Sequence, residues 1–395
     1  IKSFSAENSV NKIRGYLMKR RQFLGAVGSS LVCWHTPSVM ALTSKRRPKL
    51  VWVMLRGAMD SLHAVLPAAD PALMLHRKSL VKAIKDEAFP LERGFALHPS
   101  LSTFAELYQR QELIAVVATS SGANTRSHFR AQDVLESGYS QADTESGWLN
   151  RAVDAYQGQS LAVAHSLPIS LRGKHASQTW YPDSFTESTE DLYDRLQGLY
   201  ANDEQLLTSL NRGLETQAQL AGMAPVKQHH QFANLALSCG KLMAAPNGPD
   251  CSMLELDGWD THQRQVSRLS KKFSELDQGL ASLRKGLGDQ WDNTVVIVAT
   301  EFGRTVAENG TGGTDHGTAS AMFLAGGAVS GGHVYGEWPG LNKNQLFEGR
   351  DLAPTSDNRQ WISTVLKQHW QLSHKQLDTV FPPLAAINVN LVKTT

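Results

Sequence analysis

Cysteine is scarce: the 395-residue chain holds three, and only Cys239 and Cys251 lie beyond the N-terminal segment. That pair could bridge in an oxidising compartment, but two thiols make no disulfide scaffold. The lack of any Cys-x-x-Cys argues against a thiolate zinc site. No Gly-x-Gly-x-x-Gly follows the first apolar strand, which removes a nicotinamide-type oxidoreductase. Net charge is missing too. There are 39 Lys and Arg against 37 Asp and Glu, and loss of residues 1–41 leaves 33 basic and 36 acidic side chains. Such a balance points to neither nucleic acid nor an anionic membrane. The apolar stretch near the N-terminus, residues 25–32, is too short and too rich in Gly and Ser to span a bilayer, so no stable membrane span is expected in the mature form.

What is present begins with a targeting segment. Lys19-Arg20-Arg21-Gln22-Phe23-Leu24 has the paired arginines of a twin-arginine signal, and Val39-Met40-Ala41 offers small residues for cleavage. Residues 1–41 are therefore expected to be a signal peptide with an upstream extension before Met18, read by the twin-arginine export machinery. The mature protein, residues 42–395, is then periplasmic or otherwise exported. This route carries proteins already folded, which suits a chain that acquires a metal in the cytoplasm.

Residues 295–299 are a continuous β-branched run of the kind found in strands buried on both faces, mostly of parallel sheets. Glu301 stands just past its end, where open α/β sheets bind ligands. A Gly-rich loop then delivers Asp315 and His316 directly before a second apolar strand, about 319–325. Carboxylates and a neutral imidazole are suitable ligands for a divalent metal; equally, Glu301 could pair with Arg304. Residues 49–55 read as a central strand followed by Asp60, either a strand-end ligand or an N-cap. Residues 112–118 are another buried strand, running through a hydroxyl-rich turn into a helix ending near 136. A helix N-terminus there, with Arg126 and Arg130, makes an anion site, and Ser127, or else Thr125, is a candidate nucleophile; Ser127 is alternatively the helix cap. A third strand is expected over 161–171. Long polar helices about 184–245 read as a helical insertion, in which His229-His230 suits a solvated face. The short strand 252–256 leads into Asp257, Asp260 and His262, a second inventory for a divalent metal, before a helix to about 286; Asp260 is otherwise that helix's cap.

Five blocks stand in order: Arg56-Gly57-Ala58-Met59-Asp60, Ser127-His128-Phe129-Arg130-Ala131-Gln132-Asp133, Gly258-Trp259-Asp260-Thr261-His262, Glu301-Phe302-Gly303-Arg304-Thr305, and Gly312-Gly313-Thr314-Asp315-His316-Gly317. Together they resemble the domain-of-unknown-function 1501 family of exported bacterial proteins, itself similar in fold to the alkaline phosphatase superfamily. The resemblance covers nearly all of residues 48–385. It implies a single α/β domain with a mostly parallel central sheet flanked by helices. It also implies one or two divalent ions (Zn, Mn or Fe), with Asp60, Asp257 or Asp260, His262, Glu301, Asp315 and His316 as ligands, and Ser127 at the nucleophile position. The expected activity is metal-dependent hydrolysis of phosphate or related esters, on a small-molecule or polymer substrate, with Arg126 or Arg130 on the equatorial oxygens. The alternative is a non-catalytic periplasmic binding protein with a degenerate or structural metal site. Two departures bear on this. Glu301-Phe302 stands where the superfamily has an Asp-His pair, and Ala58 and Met59 replace two of the family's usual residues, glycine or asparagine, in the first block. No Cys-x-Pro-x-Arg or Ser-x-Pro-x-Arg occurs, which excludes modified-residue sulfatase chemistry.

Overall fold

The first strand sets the architecture. In β1 (Lys49–Leu55) all seven residues are buried, and alternate side chains serve two cores. Val51, Val53 and Leu55 enter one cluster, while Leu50, Trp52 and Met54 enter the other. Side chains that alternate with period two, all of them apolar, require cover on both faces of a sheet. The structure, a computed structural model, describes residues 47–182, 196–197, 199–201, 203–220 and 232–394. The twin-arginine segment, His229-His230 and the remaining parts of the 184–245 stretch lie outside the described residues.

Following β1 in chain order are β2 (Val65–Leu66), β3 (Phe89–Pro90), β4 (Ala96–Leu97), β5 (Leu113–Ser120), β6 (Ser160–Val163), β7 (Gln178–Trp180), β8 (Cys251–Leu256), β9 (Thr294–Thr300), β10 (Ser320–Ala325), β11 (His333–Tyr335) and β12 (Ser356–Asp357). The main sheet runs β11-β5-β10-β9-β1-β8-β6-β7, with β12 beside β5, and β2-β4-β3 form a small separate sheet. Pairing in the main sheet is parallel except at β10, which is antiparallel to β5 and β9. The direction of β10 follows from its connection. The chain leaves the C-terminal end of β9, loops across the same edge and returns.

One face is covered by the helices Ser102–Gln109, Phe232–Ala244 and Gln265–Leu287, the other by Trp148–Tyr156, Asn358–His369 and His374–Val380. Phe232–Ala244, at the end of the expected insertion, packs along Gln265–Leu287 and contributes Phe232, Leu235 and Leu242 to the core. The strand expected over 161–171 stops at Val163. Ser166-Leu167-Pro168 then turns the chain into a single 3-10 turn, Ile169–Leu171, because proline supplies no ladder donor. Beyond β10, His333–Tyr335 pairs in parallel with β5 as β11. Cys239 and Cys251 are buried free thiols, so the bridge left open by the sequence is not formed. Burial pushes the Cys239 thiol up to about 12.

Candidate metal centre

Four chain segments meet at the C-terminal edge of β1, β8, β9 and β5. After β1 the backbone turns at Gly57, whose φ of +116° lies in the glycine region; a Cβ there would stand 2.7 Å from the Asp260 amide nitrogen. The Gly57 amide donates to Glu301 Oε1 at 2.8 Å. At Gly313 a Cβ would stand 2.4 Å from the His262 carbonyl carbon. Glycine thus lets the β9–β10 loop lie against the segment after β8. The second metal-like block of the sequence is thereby pressed onto the first.

The centre itself is a carboxylate ringed by imidazoles. Asp260 Oδ1 lies 2.9 Å from His262 Nε2 and 3.4 Å from His316 Nε2, and Asp260 Oδ2 lies 3.5 Å from His128 Nε2. His316 Nε2 is 3.0 Å from His128 Nε2 and 3.1 Å from His262 Nε2. The ligand atoms of His128, Asp260 and His316 all lie within 4.8 Å of one another; His262 joins on the side of Asp260 Oδ1.

Each imidazole is held by its other nitrogen. His128 Nδ1 donates to Glu301 Oε1 at 2.8 Å, His316 Nδ1 to the Arg126 carbonyl at 2.9 Å, and His262 Nδ1 to Asp315 Oδ1 at 3.2 Å. With the proton fixed on Nδ1, a neutral ring aims its Nε2 lone pair inward. Lone pairs 3 Å apart beside a carboxylate require a cation among them, either a proton or a metal ion. Ligands of a tetrahedral ion bonded at 2.0–2.1 Å are separated by about 3.3 Å. The observed spacings bracket that value, so the residues fit a divalent ion with nitrogen and oxygen ligands.

A buried frame supports this ring. Arg304, enclosed, donates to Asp260 Oδ1 at 2.8 Å and to the hydroxyl and carbonyl of Thr314. Burial alone would raise the Asp260 carboxyl, but the hydrogen bond and charge of Arg304, with His262 and His128, hold it below the usual carboxylate range. Glu301 is likewise held low against burial by His128, Gln132 and Thr300. The His128 imidazole is raised, first by its bond to Glu301, whereas His316 is lowered by burial and by the neighbouring positive groups. Phe302 stacks on His128 with centroids 5.0 Å apart. Phe302, the residue after Glu301, thus supports a histidine from another segment.

The residues singled out in sequence separate accordingly. Asp260, His262 and His316 come together, with Glu301 and Asp315 behind them as acceptors for His128 and His262. Asp60 stands apart from the ring. It caps the helix Ser61–Ala64, receives both short bonds of Arg77 Nη1, at 2.8 and 2.7 Å, and accepts from Gln265. Its carboxylate is saturated by protein donors and faces no imidazole of the ring. Among the described residues it is linked to the centre through Gln265, which bonds Thr314, which in turn holds Arg304. Asp257 also stands apart: it is exposed, three residues upstream of Asp260, and lines a neighbouring cleft. Asp260 caps no helix; the N-cap of Gln265–Leu287 is Arg264.

Ser127 occupies the N-cap of the helix His128–Ser137, yet its side chain makes no capping bond and is exposed. Arg126 is committed to Asp351 and Glu348, both at 2.7 Å, and Arg130 is exposed. Neither guanidinium is directed at the ring by a described contact. His128 was not singled out. The signal was its place inside the block Ser127–Asp133, one residue past the serine that drew notice.

A site of strand-end carboxylate and imidazoles, each imidazole oriented from behind, defines a candidate divalent-metal centre on an α/β sheet. The chain belongs to the family described as "Protein of unknown function (DUF1501)", whose model matches residues 79–381. No curated protein matches it. Among solved structures it is similar to the zinc complex of the C-terminal periplasmic domain of EcEptC from Escherichia coli, at 9% identity and TM-score 0.43, covering 89% of this chain and 93% of that one. It is also similar to alkaline phosphatase from the Antarctic bacterium TAB5, at 10% identity and TM-score 0.35, covering 73% and 95%. A third is the phosphonate monoester hydrolase of Agrobacterium radiobacter, at 10% identity and TM-score 0.36, covering 73% and 70%.

Proposed function

We propose that this protein is an exported, metal-dependent hydrolase of phosphate or related esters. The observation that carries the reading is the convergence of three Nε2 atoms on Asp260, each ring anchored through Nδ1 by an acceptor. His128, Asp260 and His316, with His262, would hold a divalent ion; Zn, Mn and Fe all suit this donor set. Such an ion supplies Lewis acidity toward an ester oxygen and lowers the pKa of a hydroxyl or water beside it.

The chain's own groups do the rest. Glu301 and Asp315 keep the protons on Nδ1 of His128 and His262, and Arg304 keeps Asp260 ionised and in place. Ser127, exposed and without a capping bond, offers the hydroxyl next to the ring, and the amides opening the helix His128–Ser137 face an anion arriving there. Export rests on the paired arginines of the leader; among the described residues no helix is long and apolar enough to cross a membrane.

A panel of aryl phosphate, phosphodiester and sulfate esters, assayed with and without added metal, tests the reading. The expected result is metal-dependent product release that Asp260→Ala and His316→Ala abolish while circular dichroism is unchanged. Full turnover in either variant would contradict the assignment. One observation favours the non-catalytic alternative. Arg126, one of the two guanidiniums considered for an anionic group, is spent on Asp351 and Glu348. That alternative expects metal binding with no turnover at any pH.

A further inference from the structure

Beside the metal centre, the same sheet edge opens into a cleft of about 670 Å³ beyond the ends of β6 and β8. One wall is a face of the helix that begins with His128, because Phe129, Gln132, Asp133 and Glu136 recur at spacings of three and four. Gln132 links cleft and centre. Gln132 donates to Glu301 and accepts from Arg56 Nη1 at 2.8 Å on the cleft side.

The charge of this cleft is one-sided. Five carboxylates line it against two guanidiniums. Arg56 is consumed by Glu136 at 2.7 Å and Glu255 at 2.5 Å, and Arg172 is turned onto the carbonyls of Leu167 and Thr144. Glu275 has Lys272 at 2.6 Å. Asp133 and Asp257 have no cationic partner among the described residues. Aromatic faces stand with them. Phe129 is 82% exposed at the mouth, one residue after a ring of the metal centre, and Tyr181 packs with His165 on the opposite wall.

Surplus carboxylate repels an anionic ligand, while carboxylate together with aromatic faces is the environment that attracts an organic cation. A neutral sugar would use the aromatic faces but would gain nothing from unpaired Asp133 and Asp257. We propose that this cleft takes a small alkylammonium group. The ester handled next to it is then that of an amino alcohol, its anionic end at the metal centre and its cationic end in the cleft. The second statement rests on the hydrolase reading; the first does not.

The direct test is calorimetric titration of tetramethylammonium chloride into the full chain, freed of metal with a chelator, at constant ionic strength. Saturable binding is expected, at least tenfold tighter than that of the neutral neopentyl alcohol, and at least tenfold weaker in Asp257→Asn and in Phe129→Ala. Absence of saturable binding, equal affinity for the neutral compound, unchanged affinity in both variants, or saturable binding of methyl glucoside instead would each overturn it. The metal-loaded chain should then favour p-nitrophenyl phosphorylcholine over its neutral 3,3-dimethylbutyl counterpart at least tenfold in kcat/KM. Equal turnover of the two esters overturns the amino-alcohol assignment. No turnover of either, with tetramethylammonium still bound, supports the ammonium site and counts against the hydrolase reading.

Discussion

Two groups of the same residue types lie near each other at this sheet edge and have opposite characters. Asp60, His63 and His98 are enclosed with Arg77, whereas Asp260, His128, His262 and His316 are partly open to solvent. In the closed group the carboxylate is paired with a guanidinium, and His63 Nε2 and His98 Nε2 are buried with no hydrogen-bond partner among the described residues. In the open group every imidazole is anchored from behind and presents a nitrogen to a shared point. Residue type does not make a ligand. What makes one is an acceptor on the far nitrogen and an unfilled space in front of the near one.

The comparison breaks most severely at Arg77. Its guanidinium has no exposure, binds Asp60 through Nη1, and donates to the carbonyls of Val306 and Thr305. Arg77→Ala leaves a buried carboxylate without its countercharge, and a loss of about 3–5 kcal/mol is expected in urea unfolding. The same variant tests whether the closed group also aligns the open one through Gln265 and Thr314. If it does, metal affinity falls in whatever fraction remains folded.

Acid separates the groups next. Burial pushes His63 down to about 4 and His98 down to about 3. In the unfolded chain these rings take up protons below about pH 6.5, and in the folded chain only near those lower values. The unfolded state therefore binds more protons over that window, and stability falls as pH drops through it. The expected loss between pH 7.5 and 5.5 is about 2–3 kcal/mol for the pair, read from urea midpoints. Replacing both by phenylalanine should flatten the dependence. An unchanged slope would mean that the two rings are not the titrating groups.

A smaller effect is expected behind the ring. Glu301→Gln keeps the shape but weakens the hold on His128 Nδ1, and a drop in metal affinity of about 10–100-fold is expected in a chelator competition. A variant binding as tightly as the parent would show that Glu301 orients nothing.

Much of this was legible from residues and the rest for stated reasons was not. β1, β5 and β9 announce themselves as apolar runs because both faces of each are covered. The helix Asn358–His369 opens on a capping box, Asp357 with Gln360, which is a local signal. Strand direction has no local signature, so the reversal at β10 could not be read, and Pro168 cut short a strand that composition alone extends. In the site, Asp260, His262 and His316 were visible as tight clusters after strands. Asp60 looked equally good, because its partner Arg77 lies 17 residues downstream, in a stretch without clear periodicity. His128 was hidden by its neighbour Ser127, whose hydroxyl is the more familiar chemical signal.

The central claim is that the open group holds a metal ion and the closed group does not. Elemental mass spectrometry on the chain, purified without chelator, tests this against Asp260→Ala. The account predicts one or two equivalents of a transition metal in the parent and none in the variant, with the urea midpoint of the variant close to that of the metal-stripped parent. A parent free of metal, or a variant that keeps the full complement, would contradict it.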